Sequence, residues 1–149
     1  MNALEIRNLY KSYPGFQLEN INLTLPMGCI MGFVGANGAG KSTTINLILD
    51  LIGRDKGEIT VFGQDNRSLT AAMKEELGVV LDEACFPETL SAKDVNRIMK
   101  GSYQRWSEET FASYVDRFAL PWNKANKEYS RGMKMKLSIA VALSHEARL

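Results

Sequence analysis

The sequence contains few of the residues that metal sites and cross-linked folds require. Its 149 residues include two cysteines, Cys29 and Cys85, and one histidine, His145. Both cysteines lie in apolar settings without metal-ligand spacing, so we expect reduced thiols in a cytosolic protein and no disulfide. His145 falls near the end of an apolar helical pattern, where we expect a structural or exposed role and no catalytic one.

An excess of charge of one sign and a long apolar run are also lacking. Eighteen basic and 17 acidic residues give a formal charge of +1. This balance offers no electrostatic basis for a nucleic-acid partner or an anionic membrane surface. The sequence has no basic-then-apolar leader, and no apolar run approaches about 18 residues, so we expect neither secretion nor a membrane span. The 45% hydrophobic content suffices for the core of one globular domain.

The most informative segment runs from residue 35 to residue 43 and reads GANGAGKST, which fits the phosphate-binding pattern GxxxxGK[ST]. It follows an apolar run, Cys29–Val34, that we interpret as a strand, and it opens a predicted helix near Lys41. The glycines leave a concave path of backbone N–H donors, and the helix directs the positive end of its dipole at the phosphates. The predicted nucleotide-binding residues of this loop are Gly35, Asn37, Gly38, Ala39, Gly40, Lys41, Ser42 and Thr43.

Three of these residues have predicted side-chain roles. Lys41 would reach the β- and γ-phosphates, and Ser42 would hold Mg²⁺ through its hydroxyl. Thr43 would add a second hydroxyl near the phosphates.

The pattern of apolar residues predicts a β-rich first half. Alternation over Leu4–Asn8 and Leu18–Leu25 indicates two strands, and Gly57–Gly63 and Val79–Leu81 are interpreted as two more, the last one buried. The segment from Ile45 to Ile52 predicts a helix that is buried on most sides and ended by Gly53.

The second half is predicted to be helical. Ser91 and Ser107 are placed to cap two helices. A last helix is predicted over Lys134–Ser144, opening just after Ser130–Met133.

Four segments in this order resemble the ATP-binding subunit of ATP-binding cassette (ABC) transporters. They are Leu4–Tyr13, the loop at 35–43, the strand at 57–63 and Tyr129–Lys134. The resemblance covers essentially the whole chain and implies an α/β P-loop NTPase core of the ABC type, with an N-terminal antiparallel β subdomain and a helical subdomain, and with the C-terminal strands missing. It divides the chain into three parts: the β subdomain and P-loop core at about 1–90, the helical subdomain at about 91–130 and the signature helix at about 131–149.

The resemblance also assigns roles outside the loop. Tyr13 occupies the aromatic position that stacks on adenine. Ser130 and Gly132 match the signature serine and second glycine, which bind the γ-phosphate of ATP held by the opposite subunit, although Arg131 and Met133 depart from the usual Leu-Ser-Gly-Gly-Gln. Asp82 stands where the family usually has a glutamine, and we expect it either to contact Mg²⁺ or to be a solvated loop carboxylate.

The family continues from this point into an apolar strand that ends in Asp (Walker B), followed by the catalytic Glu and later a switch histidine. Because this sequence contains none of them, we expect no catalytic residue within it. The chain alone is therefore predicted to be a poor or null ATPase and only marginally stable.

The function implied by the resemblance is that of an ATP-binding subunit, with ATP and Mg²⁺ as cofactors, that powers transport across a membrane. Its expected partners are a second ATP-binding subunit and membrane-spanning subunits, which would hold it at the inner face of the cell membrane. The alternatives are a soluble ABC-type ATPase of translation or DNA repair, and a nucleotide-binding remnant without hydrolysis. A P-loop kinase or GTPase is a further alternative, but residues 123–126, Asn-Lys-Ala-Asn, lack the carboxylate of a guanine-reading motif.

Overall fold

The structure, a computed structural model, describes residues 1–81 and 86–149. Its contacts divide the chain into two compact units, Met1–Thr70 and Ala71–Leu149. The division predicted near residues 90 and 130 stays a prediction. Among the described residues, no helix is both long enough and apolar enough to cross a bilayer.

The first unit is built on one antiparallel sheet with the strand order β2-β1-β3-β4. Its strands are β1 Asn2–Tyr13, β2 Phe16–Pro26, β3 Lys56–Val61 and β4 Gln64–Asp65. The strands predicted over 4–8, 18–25 and 57–63 are confirmed, but the first two extend further than predicted and the third ends at Val61, two residues before its predicted end. Tight turns join β1 to β2 and β3 to β4, which is why these pairs are antiparallel.

A bulge in β1 keeps its apolar side chains on the buried face. Leu4 and Ile6 are buried, and strict alternation would bury Asn8 next. Instead the register against β2 shifts between Ile6 and Leu9, Asn8 adopts a φ of 47°, and Leu9 is fully buried. The extra residue thus changes which side chains face the core.

Helix α1 spans Lys41–Ile48, so its predicted start is confirmed and its predicted end is wrong. Within the helix only Thr44 and Leu47 are buried, whereas Ile45 is 43% exposed. The chain leaves the helix through Leu49, and Asp50 has a φ of 56°. Eight residues bury one stripe and not most sides, because only that stripe meets the rest of the unit.

Two apolar segments that were predicted to be strands, Cys29–Val34 and Val79–Leu81, do not form strands in the described part of the chain. Ile30 and Val34 are almost fully exposed. An extended segment becomes a strand only when a neighbour pairs with its N–H and C=O groups. Apolar character favours burial but does not supply that neighbour.

The second unit is helical, with α2 Ala71–Lys74, α3 Ala92–Ser102, α4 Glu108–Arg117 and α5 Arg131–Ala142. The predicted caps are confirmed: Ser91 accepts the N–H of Asp94, and Ser107 accepts the N–H of Thr110. Helix α5 begins three residues before its predicted start. The core of the second unit contains Ala92, Val95, Phe111, Val115, Leu120, Tyr129, Leu137, Ala140 and Val141.

The backbone at residues 148–149 hydrogen-bonds to the backbone at residues 76–78. Arg148 N and Leu149 N donate to Glu76 O at 2.8 and 3.2 Å, and Gly78 N donates to Leu149 O at 2.8 Å. Leu149 therefore bonds to both Glu76 and Gly78, which is the hydrogen-bond pattern of two parallel strands.

Candidate functional site

The loop at 35–43 leads directly into the N-terminus of α1. Gly40 is the N-cap residue, and among the described residues no side chain caps the N–H groups of this helix end. Helices α3, α4 and α5 are each capped by a serine hydroxyl instead. The first N–H groups of α1 lack intrahelical partners and carry the positive end of the helix dipole, so they can bind an anion.

Lys41 folds back across this loop. Its Nζ donates to Gly35 O at 2.6 Å and to Ala36 O at 2.9 Å. The ammonium group therefore lies within the loop, next to the helix start. An arriving phosphate could take over these donors, because bonds from an ammonium to an anionic oxygen are stronger than those to a neutral carbonyl.

The loop closes by a tight turn at its centre. Ala39 N donates to Ala36 O at 3.1 Å, with Asn37 and Gly38 between them and exposed. Gly38 has a φ of +84°, a left-handed conformation that glycine adopts without strain.

Gly40 fixes the loop against the sheet. Its φ is +92°, and a Cβ at this position would lie 2.7 Å from Leu18 Cδ2 and 3.0 Å from Phe16 Cζ. Phe16 and Leu18 belong to β2, whose register places Phe16 opposite Tyr13 and Leu18 opposite Lys11. The start of α1 is thus in contact with the same end of the β1–β2 hairpin that carries Tyr13.

Tyr13 is the last residue of β1 and is 41% exposed. A half-exposed phenol ring has a flat apolar surface on which a base can stack. The structure therefore places the predicted stacking residue in the same unit as the phosphate loop, joined to it through Phe16.

The hydroxyl residues of α1 divide into two groups. Ser42 is exposed in the first turn and Thr43 is half-buried. Thr44 is buried, and its Oγ1 donates to Gly40 O at 2.9 Å, which leaves it a structural role. Ser42 Oγ is accessible to an incoming Mg²⁺.

The metal site predicted at Ser42 and Asp82 is described only in part, because Asp82 lies outside the described residues. Over the ranges 1–81 and 86–149, no group of three or more His, Cys, Asp or Glu could hold a metal ion. A neutral serine oxygen fits Mg²⁺, which in nucleotide sites takes its remaining ligands from phosphates, water and one or two carboxylates.

The C-terminal end of α1 is held by a polar cluster. Asn66 is 2% exposed, and its Nδ2 donates to Leu47 O at 2.7 Å and Ile48 O at 3.0 Å. Arg54 donates to Asn66 Oδ1 and to Asp65 Oδ2. Hydrogen bonds from Arg67 and Arg54 hold the pKa of Asp65 well below its usual range.

The segment Tyr129–Lys134, which resembles the family signature, includes the N-terminus of α5 in the second unit. Ser130 is exposed, and its Oγ accepts the N–H of Met133 at 3.2 Å. Gly132 is exposed in the first helical turn. Tyr129 is buried and its hydroxyl donates to Pro121 O, and burial raises the pKa of this phenol. The structure shows Ser130 as an N-cap and leaves its predicted phosphate role a prediction.

His145 is buried, at 1% exposure, so the structural role is the one observed. Its Nδ1 lies 2.9 Å from Glu75 O, and its ring stacks on Tyr103 with centroids 4.3 Å apart. Because a carbonyl can only accept, Nδ1 carries the proton.

A family model for ABC transporters matches residues 18–149. The chain belongs to the ABC transporter ATP-binding family.

Three curated members of this family align with nearly the whole chain. Identity is 34% over 148 residues with the daunorubicin/doxorubicin resistance ATP-binding protein of Streptomyces peucetius, covering 95% of this chain and 44% of that one. It is 32% with the linearmycin resistance ATP-binding protein of Bacillus subtilis, covering 98% and 49%. It is 30% with the lantibiotic transport ATP-binding protein of Streptococcus pyogenes, covering 98% and 63%. The chain spans about half the length of these ABC relatives.

Solved structures agree on the fold. An ABC transporter ATP-binding protein from Pyrococcus furiosus superposes with a TM-score of 0.81 at 26% identity, covering 97% of this chain and 71% of that one. A dimeric bacterial ABC transporter cassette gives 0.79 at 21% identity, covering 97% and 70%. The predicted α/β fold of the ABC type is confirmed.

The sequence did not point to several residues that support the loop, because they do so through long-range contacts. Neither the hydrogen bonds from Asn66 to α1 nor the packing of Phe16 and Leu18 on Gly40 has a sequence signal of its own. The one available hint was the glycine at position 40, since a motif glycine indicates close approach of another group.

Proposed function

We propose that this chain is an ATP-binding subunit that holds Mg²⁺-ATP by its phosphates at residues 35–43 and powers transport across a membrane by ATP binding and hydrolysis. The observation that carries the proposal is the uncapped N-terminus of α1, enclosed by a loop whose lysine ammonium already lies inside it. Backbone N–H groups, a helix dipole and an ammonium converge there, as a polyphosphate requires.

In the bound state each of these side chains would have its own role. Lys41 would exchange its two carbonyl contacts for oxygens of the β- and γ-phosphates, and Ser42 Oγ would coordinate Mg²⁺. The ion supplies neutralisation of phosphate charge. Tyr13 would stack on the adenine, and its contact chain through Phe16 to Gly40 supports base and phosphates being held by one unit.

The second part of the proposal concerns dimerisation. Ser130 and Gly132 would meet the γ-phosphate of ATP bound to a second ATP-binding subunit. As an N-cap, Ser130 accepts a backbone N–H through a lone pair, so its own O–H proton is still able to donate to a phosphate oxygen. The exposure of Ser130 and Gly132 supports access from a partner.

The third part concerns partners and place. We propose membrane-spanning subunits as partners, which would hold the protein at the inner face of the cell membrane. A formal charge of +1 favours attachment through protein contacts over attraction to lipid. The names of three relatives refer to daunorubicin/doxorubicin resistance, linearmycin resistance and lantibiotic transport. They support export of antibiotic-like or peptide cargo as the process that is powered.

Calorimetric titration with Mg²⁺-ATP tests the nucleotide site. The wild-type chain is expected to bind one ATP, and Lys41→Ala to weaken binding about ten- to hundredfold, because each charge-assisted hydrogen bond contributes roughly 1.5–3 kcal/mol. Lys124→Ala, which removes an exposed lysine of the second unit, is the matched control and should bind as the wild type does. Equal affinities for Lys41→Ala and wild type would contradict the site.

Fractionation of native cells tests the transport role separately. We expect the protein to sediment with membranes and to stay there in high salt, because protein contacts are less sensitive to salt than lipid electrostatics. Recovery with ribosomes would favour the translation alternative instead.

A further inference from the structure

Tyr13 has a second neighbour besides the β2 strand. The Nζ of Lys11 lies 5.1 Å from the centre of the Tyr13 ring, within the range of a cation–π contact. The Lys11 side chain is only 15% exposed. The ammonium therefore covers one side of the ring, while the ring as a whole stays 41% exposed.

Asp55 holds Lys11 in this position. Its Oδ1 accepts from Lys11 Nζ at 3.0 Å, and its Oδ2 accepts from the Ser12 N–H at 2.8 Å. The backbone N–H of Asp55 in turn donates to Tyr10 O at 3.0 Å. Asp55 is thus attached to β1 on both sides of Lys11, through its backbone to Tyr10 and through its carboxylate to Ser12. Hydrogen bonds from Ser12 and Lys11 hold the pKa of Asp55 below its usual range, so it stays ionised at neutral pH.

We propose that Lys11 and Asp55 are positioning residues that make the Tyr13 ring a one-sided stacking platform for the base of the nucleotide. The ammonium of Lys11 occupies one face, and only the opposite face receives the base. This inference rests on the proposed ATP site and adds two residues that the family resemblance does not assign.

The location of the pair supports this role. Lys11 lies opposite Leu18 and Tyr13 opposite Phe16, the two β2 residues that approach Gly40. A ring held still at this end of the hairpin is therefore held relative to the phosphate loop. A freely rotating Tyr13 would lose rotamer entropy on stacking, which a preorganised ring avoids.

The test compares two ligands by calorimetry, Mg²⁺-ATP and Mg²⁺-tripolyphosphate, because the second has phosphates but no base. Lys11→Ala is expected to weaken ATP binding about two- to fivefold and to leave tripolyphosphate binding unchanged. Asp55→Asn should act in the same direction. Lys11→Arg keeps a cation over the ring and should restore ATP affinity.

Lys56→Ala is the matched control. Lys56 Nζ lies 6.0 Å from the ring centre of Tyr10 on the same sheet, so it forms the same kind of pair away from Tyr13. Its removal is expected to change neither affinity. Tyr13→Ala should weaken ATP binding about fivefold or more, and Lys11→Ala should have no further effect in that background, since the two residues act as one platform.

Three results would overturn the inference alone: unchanged ATP affinity in Lys11→Ala, equal losses for ATP and tripolyphosphate, or a full Lys11→Ala effect in the Tyr13→Ala background. If the wild-type chain binds neither ligand, the proposed function fails and the inference falls with it. Circular dichroism of each variant checks that the sheet is intact.

Discussion

Replacement of Gly40 by alanine tests how tightly the phosphate loop is fixed to the sheet. Two costs combine at this position. The φ of +92° is strained for any residue with a Cβ, at about 1–2 kcal/mol. The new methyl would also lie 2.7 Å from Leu18 Cδ2, about 1 Å inside ordinary contact, and such overpacking costs roughly 1–3 kcal/mol.

Leu18 cannot simply move aside, because it is 4% exposed and lies in the core of the first unit. The expected loss in the free energy of unfolding is therefore about 2–5 kcal/mol for Gly40→Ala. Gly38→Ala provides the matched control, since its φ of +84° is similar but a Cβ there meets nothing within 4 Å. Its expected loss is only the backbone strain of about 1–2 kcal/mol.

Urea unfolding without nucleotide, followed by circular dichroism, measures both variants free of any effect on ligand binding. Gly32→Ala, with neither a left-handed φ nor a close neighbour, should be neutral or slightly stabilising. Equal losses for Gly40→Ala and Gly38→Ala would refute the contact between the loop and β2.

Three further predictions concern stability. Asn66→Ala should lower the free energy of unfolding by about 1–3 kcal/mol in urea, because two carbonyls at the end of α1 lose their donor. The pKa of Asp65 is lowered in the folded state, so its contribution to stability is present above its unfolded pKa of about 3.9 and is lost as the pH falls further. In Asp65→Asn this loss of stability at acid pH should be smaller, measured as the urea midpoint over a series of pH values. Phe111→Ala should cost about 3–5 kcal/mol, because the ring is fully buried between Trp106 and Trp122, and Ile98→Ala, at an exposed helix position, serves as its control in the same assay.

Local signals were read correctly from the sequence. Ser91 and Ser107 cap their helices as predicted, since a cap depends on residues within one turn. The motif that opens α1 at Lys41 is equally local. These elements need no knowledge of distant parts of the chain.

The sequence did not show which distant residues would pair or make contact. The segment Cys29–Val34 has the composition of a buried strand, yet its side chains are exposed in the described structure, because composition does not determine which segment pairs with it. The Lys11–Asp55 ion pair joins residues 44 positions apart, and Asn66 reaches α1 across 18 or 19. No spacing rule connects such positions.

The central claim is that residues 35–43 hold the phosphates of a nucleotide, and backbone amide shifts measure this most directly. A ¹H–¹⁵N correlation spectrum of the chain, titrated with Mg²⁺-ATP, should show its largest saturable shifts at the amides of Gly38, Gly40, Lys41 and Ser42. Unchanged amide signals at these four residues under saturating nucleotide, or shifts confined to other parts of the chain, would contradict the claim.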